Sequence, residues 1–250
     1  MERFPTSSWS PDRADIETLL VTSAVSDSGL IPSASNYVFL VELESESAGT
    51  GYAVYKPLRG ETLLWDFPPD LYKREVASYV VSQALGWRLV PPTVPRDDGL
   101  EHGLGSLQLY IPSDQHCTFF DLRDEHADAM RRFATFDWLV NNADRKGGHV
   151  LLDADGHVWG IDNALTFHTE EKLRTVIWDY AGEEVPESLL PDIERLLGQL
   201  EPECELWQRL EGALEGAELE MLRERARAVL RERRFPHPPD WRRPYPWPLI

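Results

Sequence analysis

Two aspartates set apart by one hairpin carry the chemistry of this sequence. Asp144 lies in a polar loop over residues 141–149, and Asp162 follows a strand that begins at His157. Residues 150–152, an Asp-Gly turn over 153–156 and residues 157–161 read as two strands and their turn. The hairpin therefore delivers Asp162 beside the loop that carries Asp144. One carboxylate to orient a hydroxyl and another to hold Mg²⁺ is the arrangement phosphoryl transfer requires. His149 stands five residues after Asp144, where such a loop places a second metal-coordinating group.

Several elements must bring partners to these carboxylates. Strands are expected over 37–43 and 51–55, joined by a polar connection over 44–50, and they end on Tyr55-Lys56-Pro57. A lysine there can pair nucleotide phosphates if an acidic residue on a nearby helix holds it. The next helix is expected over 71–85, with Asp70 as N-cap and Gly86 as stop. Glu75 lies in its second turn, beside one buried face, within reach of Lys56. Ahead of these strands, residues 23–36 are rich in Ser, Gly and Pro and read as a loop whose backbone can approach phosphates.

Residues 105–111 read as a strong strand, and main chain at Gln108, Tyr110 and Ile111 would meet an adenine edge. A division is expected at Pro112: 1–112 strand-rich with one helix, 113–250 mainly helical. A helix over 124–141 buries a stripe of Ala127, Met130, Phe133, Phe136 and Val140, and Asp137 sits one turn before the polar loop to brace it. Lys172 and Arg174 are the cations of the segment after Asp162. Helices are expected over 186–200, 202–214 and 217–234. The arginines of the last helix interleave with glutamates and read as a solvated face of paired charges. Residues 235–250 carry several prolines, Trp241 and Trp247, and are expected to pack on the helical part.

Composition narrows the partners. A net charge of −18 in 250 residues argues against nucleic acid and anionic lipid surfaces. Two cysteines, Cys117 and Cys204, form no ligand cluster, which suits a reduced compartment. No apolar run approaches the roughly 20 residues of a membrane span, so a cytoplasmic location is expected.

The stretch Asn142-Ala143-Asp144-Arg145-Lys146-Gly147-Gly148-His149, followed by Gly160-Ile161-Asp162-Asn163, resembles the catalytic and metal-binding motifs of the phosphatidylinositol 3-/4-kinase-like superfamily. Val54-Tyr55-Lys56-Pro57 and Lys73-Arg74-Glu75-Val76-Ala77 resemble its lysine strand and its helix glutamate. The kinase motifs cover roughly residues 20–180, and the whole chain is similar to a group of small actinobacterial proteins of that superfamily. The resemblance implies an α+β, bilobal, protein-kinase-like fold that binds ATP and Mg²⁺. It implies that Lys56 contacts the α- and β-phosphates, Glu75 holds Lys56, Asp144 is the catalytic base and Asp162 the metal ligand. In place of a glycine-rich nucleotide loop stands Ile31-Pro32-Ser33-Ala34-Ser35-Asn36, making Ser33, Ser35 and Asn36 the candidate phosphate contacts.

Departures from the pattern define the alternatives. His149 replaces the usual asparagine, and a neutral imidazole suits Mn²⁺ or Zn²⁺ better than Mg²⁺. Asn163-Ala164 replaces Phe-Gly. The acceptor is expected to be a small-molecule or protein hydroxyl rather than a membrane lipid. A nucleotide-binding pseudokinase and a transferase of AMP remain the competing readings. A zinc-type site on His149, His157, Asp162 and His168 lacks any standard helical ligand spacing.

Overall fold

The computed structural model describes residues 4–31, 37–114 and 116–250. It opens with helix α1 (Ile16–Thr22), followed by strands β1 (Ala24–Leu30), β2 (Phe39–Ser45) and β3 (Gly49–Pro57). Helix α2 (Leu71–Leu85) precedes β4 (Thr93–Arg96) and β5 (Gly105–Leu109). These strands form one antiparallel sheet in the order β1-β2-β3-β5-β4. The loop expected over 23–36 is therefore partly a strand: Ala24 to Leu30 pairs with β2 although nearly all of its side chains face solvent. An edge strand whose two faces are both exposed lacks the apolar alternation that betrays a half-buried strand in sequence.

Alternation along β3 decides where Lys56 points. Gly51, Ala53, Tyr55 and Pro57 are buried, while Tyr52, Val54 and Lys56 lie on the opposite face. Ala53 and Tyr55 of this set pack with Phe39, Leu43, Leu107 and Trp9 into one core. Lys56 pairs across the sheet with Ser106, next to Gly105. A Cβ on Gly105 would press on the Lys56 carbonyl and come within 2.8 Å of Pro57 Cα. Gly105→Ala is thus expected to displace the end of β3 at a cost of about 1–3 kcal/mol. Chemical denaturation of the variant measures it, and an unchanged midpoint contradicts this packing.

Helix α2 is buried on nearly every side, eleven of its fifteen residues being inaccessible, rather than on one face as expected. It lies between the sheet and the helices that follow, which explains its weak periodicity. Asp70 occupies the N-cap position in a left-handed conformation but caps nothing. Glu61 does that work, accepting from the Leu71 and Tyr72 amides at 3.0 and 2.8 Å. Gly86 ends the helix at φ 72°, a conformation glycine adopts freely.

The second half begins with the short helix α3 (Phe119–Leu122), which the sequence did not suggest, and helix α4 (Ala127–Val140). The hairpin β6 (Val150–Leu152) and β7 (Val158–Gly160) forms as expected. Helices α5 (Leu190–Gln199), α6 (Glu205–Glu211) and α7 (Gly216–Glu232) close the core with α2 and α4. Buried Arg74 on α2 pairs with Glu218 on α7, tying the two halves together. The arginine face of α7 is paired as expected at Arg223 and Arg227. Arg225 differs: it turns inward and donates to the Leu139 and His168 carbonyls. Among the described residues no helix is long and apolar enough to cross a membrane.

Candidate active site

The polar loop is held from beneath by one fully buried ion pair. Asp137, in the last turn of α4, accepts from Arg145 Nε and Nη2 at 3.1 and 3.0 Å. Arg145 also donates to the Ile161 carbonyl at 2.9 Å and to Asn163 Oδ1 at 2.6 Å. One guanidinium thus joins the end of α4, the loop and the residues flanking Asp162. Asn142 completes the brace, donating to Asp137 and accepting the Asp144 amide at 2.9 Å. The bracing expected of Asp137 is present. Arg145, its partner, was overlooked in the sequence, although its place directly after Asp144 was the available signal.

Above this brace the structure brings Lys56, Glu75, His149 and Asp162 together. Lys56 Nζ donates to Glu75 Oε1, and to Asp162 Oδ1 at 2.9 Å. The other Glu75 oxygen accepts the Asn163 amide at 2.9 Å, so a single buried carboxylate sets both the lysine and the backbone after Asp162. Asp162 sits at φ 57°, a left-handed conformation that aspartate tolerates and that is found at functional turns. Burial opposes ionisation at Lys56, yet Asp162 and Glu75 outweigh it and hold the ammonium above its ordinary range. Burial works against the Asp162 carboxylate too, but Lys56 and His149 prevail and keep it well below the usual carboxylate range.

Asp144 lies beside this group, its carboxylate 3.2 Å from Lys146 Nζ. Burial raises its pKa against the pull of Lys146, with Asp162 adding to the rise. His149 Nε2 is 3.2 Å from Asp162 Oδ2, and Nδ1 accepts the Lys146 amide at 3.4 Å. That tautomer leaves the proton on Nε2, directed at Asp162.

Burial pulls the His149 pKa from 6.5 to about 4, so the ring is neutral near pH 7. Between these values the unfolded chain takes up a proton that the folded chain refuses. Stability is therefore expected to fall as pH drops from about 6.5 to about 4, by at most about 3 kcal/mol from this residue, and no further below that. Comparing denaturation of wild type and His149→Asn across this window isolates the effect. Parallel pH curves would contradict it.

These residues open onto a cavity of about 570 Å³. Val54 and Lys56 line one wall, Gln108 to Ile111 the strand side, and Lys146, His149 and Asp162 the floor. The strand side is less open than expected. The Tyr110 amide donates to Tyr52 O at 2.9 Å and the Leu109 amide to Pro92 O at 2.8 Å. Gln108 spends its side-chain amide on Thr93. Main chain at Tyr110 and Leu109 is thus partly committed to the protein itself. Ser33, Ser35 and Asn36 lie outside the described residues.

Other expected participants sit elsewhere. Lys172 pairs with Asp66 and Glu170, and Arg174 donates to the Ala143 carbonyl at 2.8 Å. Among the described residues no three His, Cys, Asp or Glu side chains converge as a metal cluster. His157 instead contacts the Arg88 carbonyl. Two contributors were missed: Phe4, which stacks on Tyr110 at 6.3 Å, and the 248–250 segment, whose Pro248 and Ile250 line the cavity. Both come from distant parts of the chain and carry no motif.

No protein-family model matches the chain. It is 38% identical to protein Rv2133c of Mycobacterium tuberculosis, over 95% of this chain and 96% of that one. Among solved structures, a Golgi casein kinase with Mn/ADP bound superposes with a TM-score of 0.54 at 13% identity, covering 87% of this chain and 74% of the other. Hydra Fam20 with sugar gives 0.57 at 14% identity, covering 92% of both chains. The Helicobacter pylori proinflammatory kinase CtkA gives 0.51 at 10% identity, covering 86% and 94%. The fold is the mixed α+β, protein-kinase-like one.

Proposed function

The chain belongs to the family of the Mycobacterium tuberculosis protein Rv2133c, and we propose that it is an ATP-dependent phosphotransferase acting on a small-molecule or protein hydroxyl. The observation that carries this reading is Lys56 bridging Glu75 and Asp162 at the floor of the cavity. A lysine fixed by a helix glutamate and set against an acidic strand end is what a kinase-like cleft uses on nucleotide phosphates. Lys56 is the phosphate contact, Glu75 its holder, and Asp144 the base that orients the acceptor hydroxyl. Ile111, with Gln108 and Tyr110 beside it, is the base-recognition side. Ser33, Ser35 and Asn36 remain the candidate phosphate contacts of the 31–36 loop. We take 1–112 and 113–250 as the two lobes.

Asp162 and His149 fit a divalent cation that is also bound by nucleotide phosphates, since one carboxylate and one imidazole leave most positions to other donors. Such a cation supplies positive charge to the phosphates. The imidazole favours Mn²⁺ alongside Mg²⁺, and the Golgi casein kinase neighbour holds Mn/ADP. For His149 to bind through Nε2, its proton must move to Nδ1 and the Lys146 contact must be given up. That requirement supports a second reading, a nucleotide-binding pseudokinase in which His149 only orients Asp162. The phosphatidylinositol 3-/4-kinase likeness rests on the loop and strand motifs. A charge of −18 disfavours a phosphoinositide surface as acceptor.

Turnover separates these readings. Wild-type protein with ATP and Mg²⁺ or Mn²⁺ is expected to form ADP, and any modified product to gain the mass of phosphate. ATP that binds and stays intact supports the pseudokinase. A mass gain of AMP places the chemistry at the α-phosphate instead.

A further inference from the structure

Residues 244–250 cross from the segment after Asp162 to the loop that carries Asp144. At one end the Pro244 carbonyl accepts the Thr175 amide and the Trp178 indole N–H, both at 3.1 Å. At the other, the Leu249 carbonyl accepts the Gly147 amide at 2.7 Å. Thr175 itself bridges Arg145 on the loop, and the Val176 amide donates to the Arg145 carbonyl. The segment therefore lies against two stretches of main chain already bridged to each other, and adds to them through its carbonyls.

Its composition suits that position. Pro244, Pro246 and Pro248 alternate with Tyr245 and Trp247, so three N–H donors are absent and the segment meets its neighbours through carbonyls alone at these positions. Pro246 is buried, whereas Trp247 is 73% exposed. Arg242 anchors the approach, donating to the Leu173 carbonyl at 2.8 Å and pairing with Glu171. Gly147 has room for no side chain here, because a Cβ would lie 2.9 Å from Phe120 and 3.4 Å from the Leu249 carbonyl.

An acceptor on an extended polypeptide would dock by lending its carbonyls to the outward amides of these two segments. The Gly147 and Thr175 amides are already taken by the chain's own 244–250 segment. We propose that residues 244–250 roof the acceptor side of the cleft and confine the acceptor to a small hydroxyl compound, excluding polypeptide substrates. This inference rests on the phosphotransferase reading above. In the transfer, the acceptor oxygen bonds to the γ-phosphorus of ATP, the bond from that phosphorus to the ADP oxygen breaks, and the hydroxyl proton passes to Asp144.

The test uses γ-labelled ATP, Mn²⁺ and a library of peptides containing Ser, Thr and Tyr. Three proteins are compared: the full chain, a variant lacking 246–250, and a full-length variant with Pro244→Gly, Pro246→Gly and Pro248→Gly. The full chain is expected to leave the peptides unlabelled. Loosening or removing the segment is expected to raise peptide labelling at least about tenfold in either variant. Ready peptide labelling by the full chain overturns the proposal. So does an absence of gain in variants that still bind and turn over ATP. If none of the three proteins binds or turns over ATP, the phosphotransferase reading fails and takes this one with it.

Discussion

Asp144→Ala is expected to slow phosphate transfer by about 10²–10⁴-fold while ATP and metal still bind. The split follows from the geometry. Asp144 does not touch Lys56, Glu75 or His149; its carboxylate faces Lys146 at 3.2 Å. The groups proposed to hold nucleotide and metal therefore keep their contacts when Asp144 is shortened. What disappears is the carboxylate proposed to take the acceptor proton, whose pKa burial raises. Asp144→Asn keeps the shape and removes the charge, so it should be nearly as slow. Steady-state rates together with ATP affinities for both variants provide the check. A variant that loses ATP affinity in step with rate would show that Asp144 serves binding and not transfer.

The largest effect on stability is expected from Asp137→Ala, about 3–5 kcal/mol. Asp137 and Arg145 are both wholly inaccessible, and removing the carboxylate strands the guanidinium without its counterion. Four groups lose a partner at once: Arg145 Nε and Nη2, Asn142 and the Thr175 hydroxyl. A domain of this kind has only about 5–15 kcal/mol in total, so the variant stands near the edge of folding. Replacing both residues by apolar side chains of similar volume should cost less than the single change, because no unpaired charge remains buried. Urea midpoints of the single and double variants decide this. A double variant as unstable as Asp137→Ala alone would mean that shape, not charge, makes the brace.

Much of the site was legible because its chemistry sits at strand and helix ends. Lys56 follows an alternating strand, Glu75 lies in a helix with a clear glycine stop, and Asp162 ends a hairpin with an Asp-Gly turn. Each is a local signal, and the chain brings them together. What stayed hidden depends on contacts between distant residues. Glu61 caps α2 from ten residues upstream, a role that local spacing assigned to Asp70. Arg145 and Asn163 make the brace through side chains that reach Asp137 on α4 and the Gly160 carbonyl on β7. Strand β1 is exposed and so lacks apolar alternation. The Pro248 and Ile250 wall arises from a proline-rich end that composition could only describe as packed somewhere on the helical part.

Lys56, Glu75 and Asp162 are proposed to form a binding site for a metal-nucleotide complex. Calorimetric titration of ATP into the folded protein, with Mg²⁺, with Mn²⁺ and with neither, tests it most directly. Metal-dependent binding in wild type, sharply weakened in Asp162→Asn and in Lys56→Met, is the predicted result. Folded wild-type protein that binds no ATP with either metal, or binds it equally well without one, would contradict it.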